Sequence, residues 1–175
     1  MIEACPLLTA KAWFQGLGAD GLTLASAVPK NPELCQRWLT FLRNHREAIA
    51  AMDFFTVQTL TFGALYCFFV ISHGRRKILS CTVTRNPSAF WIVQQMREAW
   101  PYALAQKFLI FDRDAKFGND VTGAAKTLGS EPVRTAFRNP WQNGVAERWV
   151  GSCRHDLLDC VIVLNERHLK RLMRE

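Results

Sequence analysis

Three acidic residues stand where a carboxylate is hard to keep. Asp53 interrupts the short apolar run from Ala51 to Val57. Asp112 ends the apolar run from Lys107 to Phe111, and Glu147 opens a helical stretch directly after a loop containing Pro140 and Gly144. A carboxylate inside an apolar strand costs several kcal/mol of desolvation unless it is paired or bound to metal. Three of them converging would repel one another, and without a cation at least one pKa rises. Two Mg²⁺ ions resolve that conflict, because Mg²⁺ takes carboxylate oxygens and keeps positions open for water and phosphate. Two such ions roughly 3.5–4 Å apart activate a nucleophile and stabilise a leaving oxygen in phosphodiester chemistry. Each acid also has an ordinary structural role open to it: Asp53 at a solvated strand end, Asp112 in a turn, Glu147 at the positive end of a helix. Asp114 competes with Asp112, but it falls beyond the strand end and is read as a turn residue.

The elements that must position these acids follow from periodicity. Glu33 to Ala51 has helical composition, with Trp38, Phe41 and Leu42 on one face. Ala51–Val57, Leu60–Ser72 and Ile78–Thr84 read as three short strands joined by tight turns, an antiparallel meander. Ser88 caps a helix that Pro101 ends. Lys107–Phe111 is a brief strand, and a polar helix stopped by Gly129 follows. Val133–Phe137 is another strand. The loop 139–144 leads into a helix from Val145 to Asp159, with Ala146, Val150, Cys153 and Leu157 as its apolar stripe. Asn165 caps a last, basic helix in which Leu164 and Leu169 form a hydrophobic staple and within which the chain stops. The order β-β-β-α-β-α-β-α-α implies an α/β fold: a five-stranded mixed sheet covered by helices. On the Glu147 helix, Gly151 and Arg154 share the acid's stripe, with Arg154 about 10 Å along the axis and able to grip a neighbouring phosphate. Gly151 costs such a helix up to about 1 kcal/mol against Ala; close approach of DNA is one reason for it and simple tolerance the other.

Composition bounds the partner. The 175 residues are 49% hydrophobic, enough for one domain with a real core. The formal charge of +7 comes from 22 Lys and Arg against 15 Asp and Glu, with Arg the commoner base. That excludes an acidic solvating chain and favours a polyanion, most simply nucleic acid. The six cysteines form no C-x-x-C pair, and His45, His73, His155 and His168 have no ligand spacing. The cysteines are expected to be reduced thiols of a cytoplasmic protein, nucleoid-associated if bacterial. The longest apolar stretch, Leu60 to Ile71, falls short of the roughly 20 residues a membrane helix needs. Residues 1–30 read as a poorly specified leader and 31–175 as the catalytic unit, truncated at its C-terminal end. Arg75, Arg76 and Lys77 form a basic turn, and Arg167, Lys170, Arg171 and Arg174 a basic helix; each is read first as solvated surface and second as a phosphate contact.

The words around the acids carry a resemblance. Ala51-Met52-Asp53-Phe54-Phe55-Thr56, Asp112-Arg113-Asp114-Ala115-Lys116-Phe117-Gly118 and Asn139-Pro140-Trp141-Gln142-Asn143-Gly144-Val145-Ala146-Glu147-Arg148 stand in this order. Together they resemble the three motifs of the retroviral integrase superfamily as found in insertion-sequence transposases. The second Asp and the Glu of that family are typically separated by about 35 residues, and 34 lie between positions 112 and 147 here. The resemblance covers about residues 31–175. It implies a ribonuclease-H-like fold and a D, D, E triad of Asp53, Asp112 and Glu147 holding two Mg²⁺ ions, with Mn²⁺ as a substitute. It implies polynucleotidyl transfer on DNA: strand cleavage and joining of element ends into a target, in DNA recombination by a mobile element, by a homo-oligomer. Arg154 matches the basic residue that such proteins often carry seven positions after the Glu. Gln142, Asn143, Arg148 and Lys116 are candidate DNA contacts, Asn143 being alternatively a helix cap. No zinc-binding module and no helix-turn-helix is legible in residues 1–29. Two other functions are weighed against this one: a catalytically silent DNA-binding remnant, and a ribonuclease-H-like nuclease, which the Asn139–Glu147 block disfavours.

Overall fold

The structure is a computed structural model that describes residues 32–101, 105–137 and 139–174. The leader assigned to residues 1–30 lies outside them. Five strands form the sheet: β1 (Ile49–Gln58), β2 (Ala64–Ser72), β3 (Ile78–Thr84), β4 (Phe108–Phe111) and β5 (Glu131–Arg134). Among the described residues five α-helices accompany them: α1 (Pro32–Asn44), α2 (Ala89–Ala99), α3 (Asn119–Thr127), α4 (Gly144–Asp156) and α5 (Glu166–Leu172). The strand order is β3-β2-β1-β4-β5. β1, β2 and β3 pair antiparallel, while β4 lies parallel to β1 and β5 parallel to β4. This is the mixed, ribonuclease-H-like sheet expected from the element order and the resemblance.

The two-residue period of β1 explains the layers. Ala51, Phe55 and Val57 point to one face, where α1, α4 and α5 pack through Phe41, Trp149, Val150 and Leu169. Ala50, Met52 and Phe54 point to the other, covered by α2 and α3 through Ile92, Met96, Val121 and Ala125. Trp149 anchors α4 against Phe69 at 4.2 Å between ring centroids and Phe55 at 5.8 Å.

Several boundaries differ from the sequence reading. The first helix ends at Asn44, and after one 3₁₀ turn at Arg46–Ala48 the chain enters β1 at Ile49. Ile49, Ala50 and Ala51 are fully buried in the middle of the sheet, so tertiary pairing overrides their helical neighbours. β2 begins at Ala64, because residues 59–63 form a turn closed by Thr59 N–H donating to the Gly63 carbonyl at 2.9 Å. β5 begins at Glu131 and ends at Arg134; it is an edge strand, where Pro132 needs no ladder donor. α4 stops at Asp156, and a 3₁₀ turn at Leu158–Cys160 follows. Leu158 therefore joins the core in place of Leu157, and Trp149 widens the stripe. The last helix ends at Leu172, and Leu164 of the expected staple is exposed while Leu169 is buried. The caps stand as read: the Ser88 hydroxyl accepts from Trp91 N–H at 3.2 Å, and Asn165 Oδ1 accepts from His168 N–H at 2.9 Å.

Candidate active site

Register brings the two aspartates together. The parallel pairing of β1 with β4 runs Ile49–Phe108, Ala50–Leu109, Ala51–Ile110. Two residues further along each chain stand Asp53 and Asp112, both on the face that carries Ala51 and Ile110. β4 ends at Phe111, so the strands part here and leave a crevice at their carboxyl ends, where open α/β sheets place their sites. The same face is the one α4 covers, so the start of that helix delivers Glu147 to the crevice.

A cavity of about 350 Å³ opens between these elements, lined by Asp53, Asp114, Lys116, Glu147 and Arg154. Asp112 is not among its lining residues; its Oδ1 accepts the Thr135 hydroxyl at 2.6 Å. The Asp53 carboxyl is pushed up to about 7, by burial first; the Phe54 N–H, which donates to Oδ1 at 2.7 Å, opposes the rise, and Asp112, Glu147 and Asp114 add to it. Glu147, at the solvent rim, is also raised, by desolvation first and then by Asp112. Asp112 thus acts on both other acids. Asp114 acts only on Asp53, after Asp112 and Glu147. Desolvation would raise Asp114 too, but its hydrogen bonds with the Lys116 side chain, at 2.8 Å, and the Lys116 backbone hold it below the ordinary carboxylate range.

The other candidates are distributed unevenly. Arg154 is exposed and lines the cavity, one α4 stripe from Glu147. Lys116 lines it as well, paired with Asp114 and placed over the Phe54 and Tyr66 rings at 5.9 and 5.6 Å. Gln142 braces its own loop by accepting the Ala136 N–H. Trp141 donates to Asn139 Oδ1 at 3.1 Å. Asn143 makes no side-chain cap; it is 1% exposed, and its Nδ2 donates to the Met52 carbonyl at 3.5 Å. That contact ties the loop to β1 one residue before Asp53. Arg148 is exposed on α4. The basic turn 75–77 lies at the β1 end marked by His73 N–H donating to the Ile49 carbonyl, away from the crevice.

Sequence reasoning missed Thr135, 23 residues from its partner Asp112 and without a local signal. It also missed the Asp114–Lys116 pair, for which the i, i+2 spacing was available. Among the described residues no group of three or more His, Cys, Asp or Glu is gathered closely enough to hold a metal ion. The five described cysteines are free thiols, and no described helix is long and apolar enough to cross a membrane.

No protein-family model matches the chain, and no curated protein matches it. Solved structures do. A chain of the simian T-cell lymphotropic virus intasome in complex with PP2A regulatory subunit B56 gamma matches at TM-score 0.57 and 12% identity, over 72% of this chain. This chain spans only 46% of that one. The HTLV-2 integrase catalytic core domain in complex with magnesium matches at TM-score 0.55 and 11% identity, over 72% of this chain and 82% of that one. The catalytic domain of Mos1 mariner transposase matches at TM-score 0.64 and 14% identity, over 81% and 76%. The chain therefore has the fold shared by retroviral integrase and mariner transposase catalytic domains.

Proposed function

We propose that this chain is the catalytic core of a DDE-type polynucleotidyl transferase, cutting and joining DNA strands in the manner of an insertion-sequence transposase. What supports the reading is that Asp53 and Glu147 line one cavity with Arg154, and that Asp112 acts on both carboxyls from the end of the neighbouring strand. Such a donor set, all oxygen and self-repelling, fits a hard divalent cation. Asp53 and Asp112 would hold it with Glu147 from the rim. When bound, Mg²⁺ (or Mn²⁺) supplies counter-charge and Lewis acidity toward a phosphodiester. The HTLV-2 integrase core, which shares the fold, is in complex with magnesium.

The chain's own side chains do the positioning. Arg154 grips a backbone phosphate beside the reacting one, and its exposed guanidinium can do so bidentately. Lys116 holds the Asp114 loop against the cavity wall and adds positive charge there. Arg148, on the outer side of α4, adds charge toward the duplex. Gln142 and Asn143 hold the 139–144 loop in shape behind Glu147. Water, or a DNA 3′-hydroxyl, forms the new P–O bond as the bond to the leaving strand's oxygen breaks, and that oxygen takes up a proton. No covalent intermediate with the protein forms; catalysis is positioning and stabilisation of phosphate charge. Element ends and a target duplex are the DNA partners. A homo-oligomer is the working form.

A second reading, DNA binding without chemistry, draws on the Asp112–Thr135 hydrogen bond and the open spacing of the acids. One assay separates the two. Nicking or strand joining of DNA by the wild type is expected only with Mg²⁺ or Mn²⁺. Asp53→Asn and Glu147→Gln are expected to lose at least a hundredfold in rate while retaining DNA binding. Activity unchanged in both variants sinks the site; retained binding with no activity under any metal favours the silent reading.

A further inference from the structure

Four sulfur atoms gather on the side of the sheet that α4 and α5 cover. Cys67 on β2, Cys81 on β3, Cys153 on α4 and Met173 at the end of α5 belong to one core cluster. Register explains the first two. Cys81 pairs with Phe69, two residues along β2 from Cys67, so both thiols leave the same face of the sheet. Cys153 follows by one helical turn Trp149, whose ring packs on Phe69, and so comes over the same strands. Its thiol donates to Met173 Sδ at 3.7 Å. Cys81 is pushed up to about 12, by burial first and then by Cys153. Cys67 is fully buried, whereas Cys81, Cys153 and Met173 are half-buried at the margin of the cluster. None of the four lines the acid-lined cavity or the second cavity that adjoins it at Thr56 and Arg154.

We propose that Cys81, Cys153 and Met173 bind one soft monovalent cation, Cu(I), through two thiolates and a thioether. The printed sulfur spacing suits a shared metal. With a metal–sulfur bond of about 2.3 Å, two sulfurs on one ion stand about 3.8–4.0 Å apart at tetrahedral to trigonal angles, close to the 3.7 Å between Cys153 and Met173. The donor types choose the ion. Zinc takes thiolate, imidazole and carboxylate, and this set has neither of the last two. Thiolate with thioether selects Cu(I). Two thiols and a thioether also differ from a cluster of three His, Cys, Asp or Glu, which is absent among the described residues. On binding, each thiol gives its proton to solvent as its sulfur–copper bond forms, and the copper stays Cu(I) throughout. The Arg154 guanidinium favours the Cys153 thiolate, against burial and Asp156. The bound ion would clip the end of α5 to α4 and to the edge strand β3. The site is independent of the acids and of the reaction proposed for them.

The test is an anaerobic titration of the whole, reduced chain with Cu(I) against a coloured Cu(I) chelator. Wild type is expected to withdraw one Cu(I) per chain and to gain thiolate-to-copper absorption in the ultraviolet. A chain with Cys5, Cys35 and Cys160 all replaced by Ser is expected to bind as the wild type does. Cys81→Ser and Cys153→Ser are each expected to weaken binding about a hundredfold. Met173→Leu conserves volume, so its fold is expected to stand, and it is expected to bind about tenfold more weakly. X-ray absorption of the loaded chain is expected to show a first shell of three sulfurs. Copper that follows Cys5, Cys35 or Cys160 overturns the proposal. So does affinity unchanged in Met173→Leu, or a first shell of nitrogen or oxygen. DNA nicking with Mg²⁺ is not the readout, so failure here leaves the catalytic reading standing.

Discussion

Asp53 is set apart from the other carboxylates by its burial. Its carboxyl, ordinarily near 3.8, is raised to about 7 by burial and by the acids beside it. A raised acid contributes nothing unfavourable below 3.8, where both folded and unfolded chains are protonated. As pH rises from 3.8 to about 7 only the unfolded chain gives up the proton, so stability falls by up to about 4 kcal/mol across that window. Asn in its place cannot ionise. Asp53→Asn is therefore expected to melt above the wild type at pH 8, with the gap closing toward pH 4, in thermal denaturation without metal. Adding Mg²⁺ at pH 8 is expected to raise the wild-type Tm and leave the variant's nearly unmoved. The acids stood out as candidates by their apolar neighbours and by the motifs that resemble the integrase superfamily. Thr135 was not, because a hydroxyl becomes informative only when folding sets it 2.6 Å from Asp112.

At the scale of elements, α4 joins packing to chemistry. One side of it buries Ala146 and lays Trp149 on Phe69; the other carries Glu147, Gly151 and Arg154. A methyl group built at Gly151 meets no protein atom within 4 Å, so packing does not require glycine there. Gly151→Ala is expected to stabilise the helix by up to about 1 kcal/mol, read as a higher midpoint in urea. If DNA passes over this face, the same substitution is expected to weaken DNA binding severalfold, an opposition that simple tolerance of glycine would not produce. Helix caps at Ser88 and Asn165 were readable in advance because capping is a local bargain between one side chain and the backbone three residues on. The ends of α1 and β5 were not, since Ile49 and Pro132 take their state from strands distant in sequence.

For the whole molecule, a second buried group opposes Asp53. His73 is lowered from 6.5 to about 4 by burial, with Arg46 and Arg76 adding to the shift. A lowered histidine leaves stability intact above 6.5 and removes up to about 3 kcal/mol as pH falls toward 4, because only the unfolded chain takes the proton in that window. Between pH 4 and 6.5 the two contributions therefore slope in opposite directions and cancel. In urea denaturation across that range, Asp53→Asn is expected to lose stability on acidification and His73→Gln to gain it, relative to the wild type. The sequence by itself determined the strands and helices, the basic charge and the three acids with their motifs, because side-chain periodicity and residue chemistry are properties of short stretches. Only the tertiary structure decided that Asp112 leaves a strand adjoining that of Asp53 and acts on its carboxyl, that Lys116 is tied to Asp114, that Asn143 is buried and that a second cavity adjoins the first at Arg154. Those facts depend on the parallel register of β1 with β4 and on how α4 ends. Both are fixed by packing between segments tens of residues apart, which no local pattern encodes.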